Sequence, residues 1–188
     1  LAAKAEATVA RYVIASAEGR SNGDYAGIVG KQSALCKYGE NAYQAPAALF
    51  DTETKDPLAL SAFSVIEGTP PSYNNWCDID RLLQTATHIA ASFDTNRGKV
   101  PFIAIGVKHG NACGAAVGEN AEEVLKNMLA GDPLSIFGGL VLANFPIDDE
   151  CSEVLAGKML DGVIAPSFTE GARDRLRRKG DRCRFIEN

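Results

Sequence analysis

The sequence lacks paired cysteines, a long apolar run and an excess of positive charge, and each of these absences excludes a class of protein. The five cysteines are odd in number and widely spaced, with no C-x-x-C pair. This pattern favours buried thiols in a reducing cytoplasm over a disulfide framework or a zinc site. No stretch approaches the roughly 20 apolar residues of a membrane span. The first residues also lack the apolar core and cleavage pattern of a signal peptide, so we expect a soluble cytoplasmic protein.

Positive charge is outnumbered, since 19 basic and 24 acidic side chains give a net charge of −5. This balance excludes broad electrostatic binding to nucleic acid, which requires a basic face to displace counterions from phosphates. Basic residues do crowd the last sixteen positions, but no aromatic side chain interleaves with them to stack bases. A solvated terminal helix is favoured there over a phosphate or RNA patch. The crowded residues are Arg173, Arg175, Arg177, Arg178, Lys179, Arg182 and Arg184.

The apolar content that is present suffices for one domain. With 188 residues, of which 46% are hydrophobic, the chain can form a core without disulfides or metals. Apolar residues at three- and four-residue spacing predict a helix over residues 2–17, and the following run SAEGRSNGDYAG is typical of a linker. We therefore divide the chain into an N-terminal helix and linker (1–23) and a main domain (24–188).

Predicted strands and helices alternate through the main domain. The pattern predicts an amphipathic helix over 77–93 and a strand covered on both faces over 100–107. Further strands are predicted over 138–144 and 161–167, with helices between them. Such alternation predicts an α/β fold with three layers (α/β/α), in which helices cover both faces of a mostly parallel sheet.

The clearest chemical feature follows the strand that ends in Lys108 and His109, where a glycine-rich segment begins. We interpret this segment as a loop leading into the next helix, which places the pair at a helix N-terminus outside the carboxyl end of a strand. An imidazole with a reference pKa of about 6.5 can accept a proton near neutrality, and an ammonium group can stabilise developing negative charge. A Lys-His pair at a strand end is also common in proteins without any catalytic role, so the residues alone leave both interpretations open.

Other catalytic motifs are incomplete. The segment GIVGKQS (27–33) resembles a phosphate loop, but the glycine that a Walker motif requires at position 25 is Tyr25. A zinc deaminase needs H-x-E and P-C-x-x-C, whereas the residue two positions after His109 is Asn111, and Cys113 has no partner cysteine. Metal-free chemistry is therefore expected.

Five segments are more specific, because they occur together and in a fixed order. They are KYGENAYQ (37–44), SYNN (72–75), VKHGNACGAAVG (107–118), DPLSIFGGLVLAN (132–144) and DGVIAPSF (161–168). This ordered set resembles the AICAR transformylase domain of the bifunctional purine biosynthesis proteins, over nearly the whole chain. The resemblance implies the first of two cytidine-deaminase-like α/β/α units, without the zinc, in a protein that acts as a dimer.

The resemblance also implies an activity. Members of this family transfer a formyl group from the co-substrate 10-formyltetrahydrofolate to the amino group of aminoimidazole carboxamide ribonucleotide. On this basis His109 is the general base that assists the amine, and Lys108 stabilises the transition state. The arylamine is a poor nucleophile because its lone pair delocalises into the ring and the carboxamide, so it needs a base to remove its proton as the carbonyl is attacked.

Five substrate-binding residues are assigned by the same resemblance. Lys37 and Tyr38 match positions that contact the nucleotide at its phosphate, and Asn75, Gly138 and Asp161 match positions around the base and ribose. The family often has arginine where this chain has Lys37, and lysine loses the two-pronged grip on phosphate while keeping the charge.

Family members also contain a second α/β unit, which supplies much of the folate site and does not occur before Asn188. The resemblance therefore implies either a piece of a longer protein or a site completed by another chain. We expect a homodimer or a second transformylase unit as partner, together with the purine ribonucleotide. The alternative function is a non-catalytic nucleotide-binding or dimerisation module of the same fold.

Overall fold

The computed structural model describes residues 1–188, along which helices and strands alternate. The helices are α1 (Ala2–Arg20), α2 (Tyr73–Arg97), α3 (Ala121–Leu129), α4 (Asp149–Ala156) and α5 (Glu170–Leu176). The strands are β1 (Lys31–Cys36), β2 (Ala47–Asp51), β3 (Ser64–Glu67), β4 (Phe102–Lys108), β5 (Asn111–Gly118), β6 (Leu140–Ala143), β7 (Gly162–Ala165) and β8 (Arg184–Glu187). The α/β class predicted from the sequence is confirmed.

The central sheet has six strands in the order β3-β8-β7-β6-β4-β5. Strands β6, β7 and β8 run parallel to one another, whereas β3 is antiparallel to β8 and β4 is antiparallel to both β5 and β6. The prediction of a mostly parallel sheet is wrong, because only two of the five strand pairs are parallel. Strand β4 lies between β5 and β6 and runs against both, so the α3 connection crosses over an antiparallel strand.

The glycine-rich segment after Lys108 is responsible for part of this difference. It forms the edge strand β5, whose pairing with β4 extends from Lys108 opposite Asn111 to Phe102 opposite Gly118. Glycine and alanine have low strand propensity, so the sequence pattern indicated a loop. Here the small residues allow α3 to approach the sheet closely.

Helices cover both faces of the central sheet. On one face, α3, α4 and α5 pack in a cluster of 19 buried residues that includes Leu125, Leu155 and Phe185. On the other face, α2 packs in a cluster of 12 buried residues that includes Ile79 and Leu82. A separate antiparallel ribbon of β1 and β2 also contacts this second cluster. The three-layer arrangement predicted from the alternation of elements is confirmed.

Side-chain caps fix where the sheet-packed helices begin. The hydroxyl of Ser72 accepts a hydrogen bond from the backbone nitrogen of Asn75 at the start of α2. Asn120, Asp148 and Thr169 cap α3, α4 and α5 in the same way. Each cap satisfies one of the first backbone donors of a helix, which have no partner within the helix.

Helix α1 is peripheral, because none of its residues is buried. It is tied to the rest of the chain by an ion pair between Arg11 and Glu53. The helix extends three residues beyond the predicted end, to Arg20, and the boundary at residue 23 stays a prediction. None of the helices combines the length and apolarity that a membrane span requires.

The five thiols are all free and differ in burial. Cys151 and Cys183 are buried, and burial raises the pKa of each to about 12. Cys36 and Cys113 are half-buried, whereas Cys77 is exposed on α2. The prediction of buried thiols therefore holds for two positions and is wrong for Cys77.

We expect Gly114→Ala to destabilise the protein, because a Cβ at this position would lie against the carbonyl group of Met128 on α3. Overpacking of this kind costs about 1–3 kcal/mol of unfolding free energy, which urea denaturation will measure. The matched control is Gly157→Ala, at a position with φ −68° and no atom within 4 Å of the added Cβ. That variant should be unchanged or up to about 1 kcal/mol more stable. Equal stability of the two variants would contradict the close packing of β5 against α3.

Candidate active site

One end of the central sheet brings together most of the predicted site residues. A row of cross-strand partners marks this end: Val107, Leu140, Gly162 and Arg184. Lys108 follows the row on β4, while Gly138 and Asp161 come just before β6 and β7. Because β4 is antiparallel to β6, the site lies at the carboxyl end of β4 but at the amino ends of β6 and β7. The expectation that the Lys-His pair follows the carboxyl end of a strand is confirmed for Lys108.

The Lys-His pair lies in a tight β-hairpin, not at a helix N-terminus as predicted. Lys108 pairs with Asn111, which leaves His109 and Gly110 as the two turn residues between β4 and β5. Both have positive φ angles, +52° and +74°, as the central residues of type I′ hairpin turns do. Helix α3 begins only at the far end of β5. The turn leaves the His109 side chain exposed at the tip of the hairpin.

A buried carboxylate on α2 holds this turn, and no motif in the sequence predicts it. The backbone nitrogen of Gly110 donates to Oδ1 of Asp78 at 2.7 Å, and Asp78 is only 5% exposed. The carboxylate thereby fixes the residue next to His109. The sequence feature that could have identified Asp78 is its position on α2, immediately before the buried Ile79 and four residues before the buried Leu82.

The Lys108 ammonium group lies over the chain segment that precedes β6. It donates a hydrogen bond to the carbonyl oxygen of Phe137, and a Cβ built on Gly138 would be 3.9 Å from its Nζ. Lys108, Leu134 and Phe137 line a cavity of about 740 Å³. The last two are exposed apolar side chains, at 86% and 55%. This cavity therefore combines a cation with an uncovered apolar wall.

Asp161 is engaged by two arginines. Its Oδ1 lies 2.7 Å from Nη1 of Arg178, and its backbone oxygen accepts a hydrogen bond from Nη1 of Arg184 at 3.0 Å. The backbone nitrogen of Asp161 in turn donates to the carbonyl of Gly139 at 2.9 Å, which joins it to the start of β6. Arg178 lines the first cavity, whereas Asp161 lines a second cavity, so this ion pair stands between the two.

The second cavity has a volume of about 580 Å³, and basic residues outnumber acidic ones in its lining. Lys37, Arg182 and Arg184 contribute positive charge to it. Lys37 lies in the loop that joins β1 to β2, with its Nζ 5.6 Å from the centroid of the Tyr38 ring. The structure thus brings the predicted residues Lys37 and Asp161 to one cavity and adds Arg182 and Arg184, whose sequence context predicts a solvated segment.

Tyr38 and Asn75 meet the N-terminus of α2 and are held there by structural hydrogen bonds. The Tyr38 carbonyl accepts from the backbone nitrogen of Tyr73 at 3.4 Å. Oδ1 of Asn75 accepts from the backbone nitrogen and the hydroxyl of Ser72, both at 3.0 Å. This capping box occupies the amide oxygen of Asn75, and its Nδ2 makes no hydrogen bond within the chain. A ligand-binding role for Asn75 stays a prediction. Only its Nδ2 is free to bind the ligand, because Oδ1 is occupied by the capping box.

No group of three or more histidine, cysteine, aspartate or glutamate side chains is arranged to hold a metal ion. Fold and site together define a mixed α/β domain with a Lys-His hairpin and two adjoining, cation-lined cavities at one sheet edge.

The comparisons with known proteins name the family. The chain belongs to the AICARFT/IMPCHase bienzyme family, whose model matches residues 1–188. It is 40% identical over 152 residues to the bifunctional purine biosynthesis protein PurH of Anoxybacillus flavithermus, which covers 81% of this chain and 27% of the relative. For PurH of Parvibaculum lavamentivorans the identity is 36% over 179 residues, with 92% of this chain and 32% of the relative covered. The chain thus spans about a third or less of the length of these curated relatives.

Two solved structures show a weaker likeness. RibD of Acinetobacter baumannii has a TM-score of 0.41 at 12% identity, covering 58% of this chain and 34% of its own. A dCMP deaminase from the cyanophage S-TIM5 has a TM-score of 0.38 at 18% identity, covering 54% of this chain and 94% of its own. Both TM-scores lie below 0.5, and nothing about this chain follows from them.

We expect Asp78→Ala to release the turn that carries His109. Loss of a hydrogen bond to a charged acceptor costs about 1.5–3 kcal/mol locally, so the amide proton of Gly110 should exchange with solvent faster, as NMR hydrogen exchange will show. Asp78→Asn keeps one acceptor oxygen and should retain most of the protection. The control is Asp94→Ala on the exposed part of the same helix. Unchanged exchange at Gly110 in Asp78→Ala would contradict this positioning role.

Proposed function

We propose that the chain is the transformylase part of a purine biosynthesis enzyme that carries the Lys-His pair and half of the nucleotide site. The reaction is transfer of the formyl group of 10-formyltetrahydrofolate to the amino group of aminoimidazole carboxamide ribonucleotide. The observation that carries the proposal is the hairpin tip, where His109 is exposed and the adjacent Lys108 ammonium lies at the edge of a cavity. Membership of the family supports the same reaction.

Each residue of the pair has a chemical task. His109 accepts a proton from the amine while the amine nitrogen forms a bond to the formyl carbon. The carbonyl oxygen gains negative charge in this step, and the Lys108 ammonium group stabilises it. The bond between the formyl carbon and the folate nitrogen then breaks, and that nitrogen takes up a proton from Lys108 or His109 as it leaves.

The surroundings of Lys108 favour this role. Its ammonium group bonds only to a neutral carbonyl, and no carboxylate lies within ion-pair distance of it. Its positive charge is therefore not neutralised inside the chain. A half-buried, unpaired cation interacts more strongly with a developing oxyanion than a solvated one does.

The conformation of His109 also supports a functional assignment. A positive φ is uncommon for a residue other than glycine, and such strain persists where the surrounding structure imposes it. Here the hairpin and the Asp78 contact at Gly110 impose it. The result is an imidazole held at the outermost point of the sheet edge, where a substrate can reach it.

The folate and the partner belong to the same proposal. The exposed Leu134 and Phe137 beside Lys108 form an apolar wall of the kind that a folate ring or another protein unit covers. The chain matches only 27–32% of the length of its curated relatives, which leaves room for the second unit that completes the site. A homodimer would complete it equally. Chemistry without zinc is part of the proposal, since Asn111 stands at the position where the zinc deaminases need glutamate.

The two histidines of the chain give a matched test. In the complete protein, His109→Ala should lower kcat for formyl transfer by about 100- to 10,000-fold, the usual contribution of a general base. Binding of the ribonucleotide, measured by calorimetry, should change little. A spectrophotometric assay of tetrahydrofolate release measures the turnover.

His88→Ala is the control for this experiment. His88 is exposed in the middle of α2, with Nδ1 2.6 Å from the carbonyl oxygen of Gln84. Its removal should leave kcat unchanged. Full turnover in the His109 variant, or an equal loss in both variants, would remove the catalytic assignment. Nucleotide binding without any formyl transfer by the complete wild-type protein would instead favour the non-catalytic module.

A further inference from the structure

We propose that Arg182 and Arg184 act with Lys37 as a phosphate-binding cluster in the second cavity and hold the 5′-phosphate of the nucleotide. The identity of that nucleotide rests on the proposed function, whereas the preference for a phosphoryl group rests on the cavity itself. The cavity of about 580 Å³ is lined by these three cations and by Asp161. Asp161 forms its ion pair with Arg178, and the three cations outnumber this one carboxylate in the lining.

Ion pairing divides the basic C-terminal segment into two groups. Each of the first four arginines lies within ion-pair distance of a carboxylate: Arg173, Arg175, Arg177 and Arg178. By contrast, Lys179, Arg182 and Arg184 have no carboxylate partner, and neither has Lys37. Of these unpaired cations, Lys37, Arg182 and Arg184 line one cavity, whereas Lys179 does not. An anion that enters this cavity therefore meets three cations and one carboxylate, Asp161, which leaves the lining with a net positive charge.

The Arg184 guanidinium group is fixed in place by neutral acceptors. Nη1 donates to the backbone oxygens of Asp161 at 3.0 Å and Arg182 at 3.4 Å, and Nη2 donates to the Thr69 hydroxyl at 3.0 Å. Nε is shielded from solvent and has no hydrogen-bond partner. A guanidinium group has five donor hydrogens, so one hydrogen on Nη2 and one on Nε stay unused. The remaining Nη2 hydrogen is the one that an oxyanion in the cavity can accept, because Nε is shielded from solvent.

The burial of the charged Arg184 side chain also favours an anionic ligand. Burial lowers the pKa of this guanidinium group, although the nearby Asp161 opposes the effect. Removing a charge from water is unfavourable unless an opposite charge and hydrogen bonds compensate for it. Within the chain the compensation is incomplete, because the acceptors are neutral and one buried donor is unpaired. A bound phosphate supplies the missing negative charge.

The position of the cluster matches a ligand that spans the sheet edge. Arg184 and Val107 belong to one cross-strand row and are three strand steps apart, about 14 Å at the usual spacing between neighbouring strands. The Lys108 ammonium group lies just before β6, and the Arg184 guanidinium group lies at Asp161, just before β7. A nucleotide with its phosphate at Arg184 can thus direct its base toward Lys108 and His109.

Isothermal titration calorimetry of the complete protein tests the cluster with two probes, aminoimidazole carboxamide ribonucleotide and its riboside, which lacks the phosphate. Arg184→Gln should weaken ribonucleotide binding by about 10- to 100-fold, the range for a hydrogen bond to a charged group, and leave riboside binding unchanged. Arg184→Lys should show an intermediate loss, because it keeps the charge without the planar fork. Arg97→Gln, at the exposed end of α2, is the control and should change neither affinity.

A second variant guards against misfolding, since Arg184 also binds backbone oxygens. Arg182 is exposed and its side chain makes no hydrogen bond within the chain, so Arg182→Gln should fold normally and weaken the ribonucleotide selectively by several-fold. Equal losses for ribonucleotide and riboside, or no loss in either variant, would overturn the cluster. So would weaker binding of the reduced folate with unchanged ribonucleotide binding, which would assign the cations to a carboxylate.

Other nucleoside 5′-monophosphates separate this inference from the proposed function. If the wild-type protein does not formylate the ribonucleotide but binds inosine and adenosine monophosphates in an Arg184-dependent manner, the cluster stands and the proposed function fails. If the ribonucleotide is formylated and its KM is the same in the wild type and in Arg184→Gln, the proposed function stands and the cluster is wrong.

Discussion

The antiparallel pairing of β4 with β6 is the constraint on which the candidate site depends. Through this pairing, the carboxyl end of β4 meets the amino ends of β6 and β7 at one sheet edge. Lys108 consequently lies beside Gly138 and on the same edge as Asp161, although these residues are far apart in the chain. If β4 ran parallel to β6, Lys108 would lie at the opposite end of the sheet, and no loop movement could restore the arrangement.

The sequence was sufficient to predict the buried strands and the helices but not the direction of β4. Continuous apolar runs identify β4, β6 and β7, because both of their faces are covered. Strand β5 has no such run, since its glycines and alanines fit beneath α3. Because the sequence pattern does not predict β5, it does not predict the hairpin at His109 either. Asp78 belongs to no catalytic motif. Its contact with Gly110 is evident only from the structure, in which Asp78 is buried on α2.

Electrostatics separate structural cations from cations that are available to a ligand. Glu67 on β3 pairs with Arg173 and Arg177 of the C-terminal segment, and the hydrogen bond from Arg177 lowers the pKa of this carboxyl group. Such pairs on partly exposed surfaces contribute little stability, but they neutralise the charges involved. Arg184 and Lys108 instead bind neutral oxygens, so their charge persists. Amino-acid composition cannot distinguish these basic residues from one another, because it contains no information on their ion-pair partners or their burial.

Two glycines before β6 determine how closely Lys108 approaches the backbone. Gly138 has a φ of +73°, a conformation that other residues rarely adopt, and a Cβ on Gly139 would lie 2.7 Å from the carbonyl oxygen of Val107. Larger side chains would push this segment away from β4 and remove the carbonyl that holds the Lys108 ammonium. Because a neutral carbonyl positions the ammonium group where a carboxylate would have neutralised it, the sheet edge keeps the positive charge on which the proposed formyl transfer depends.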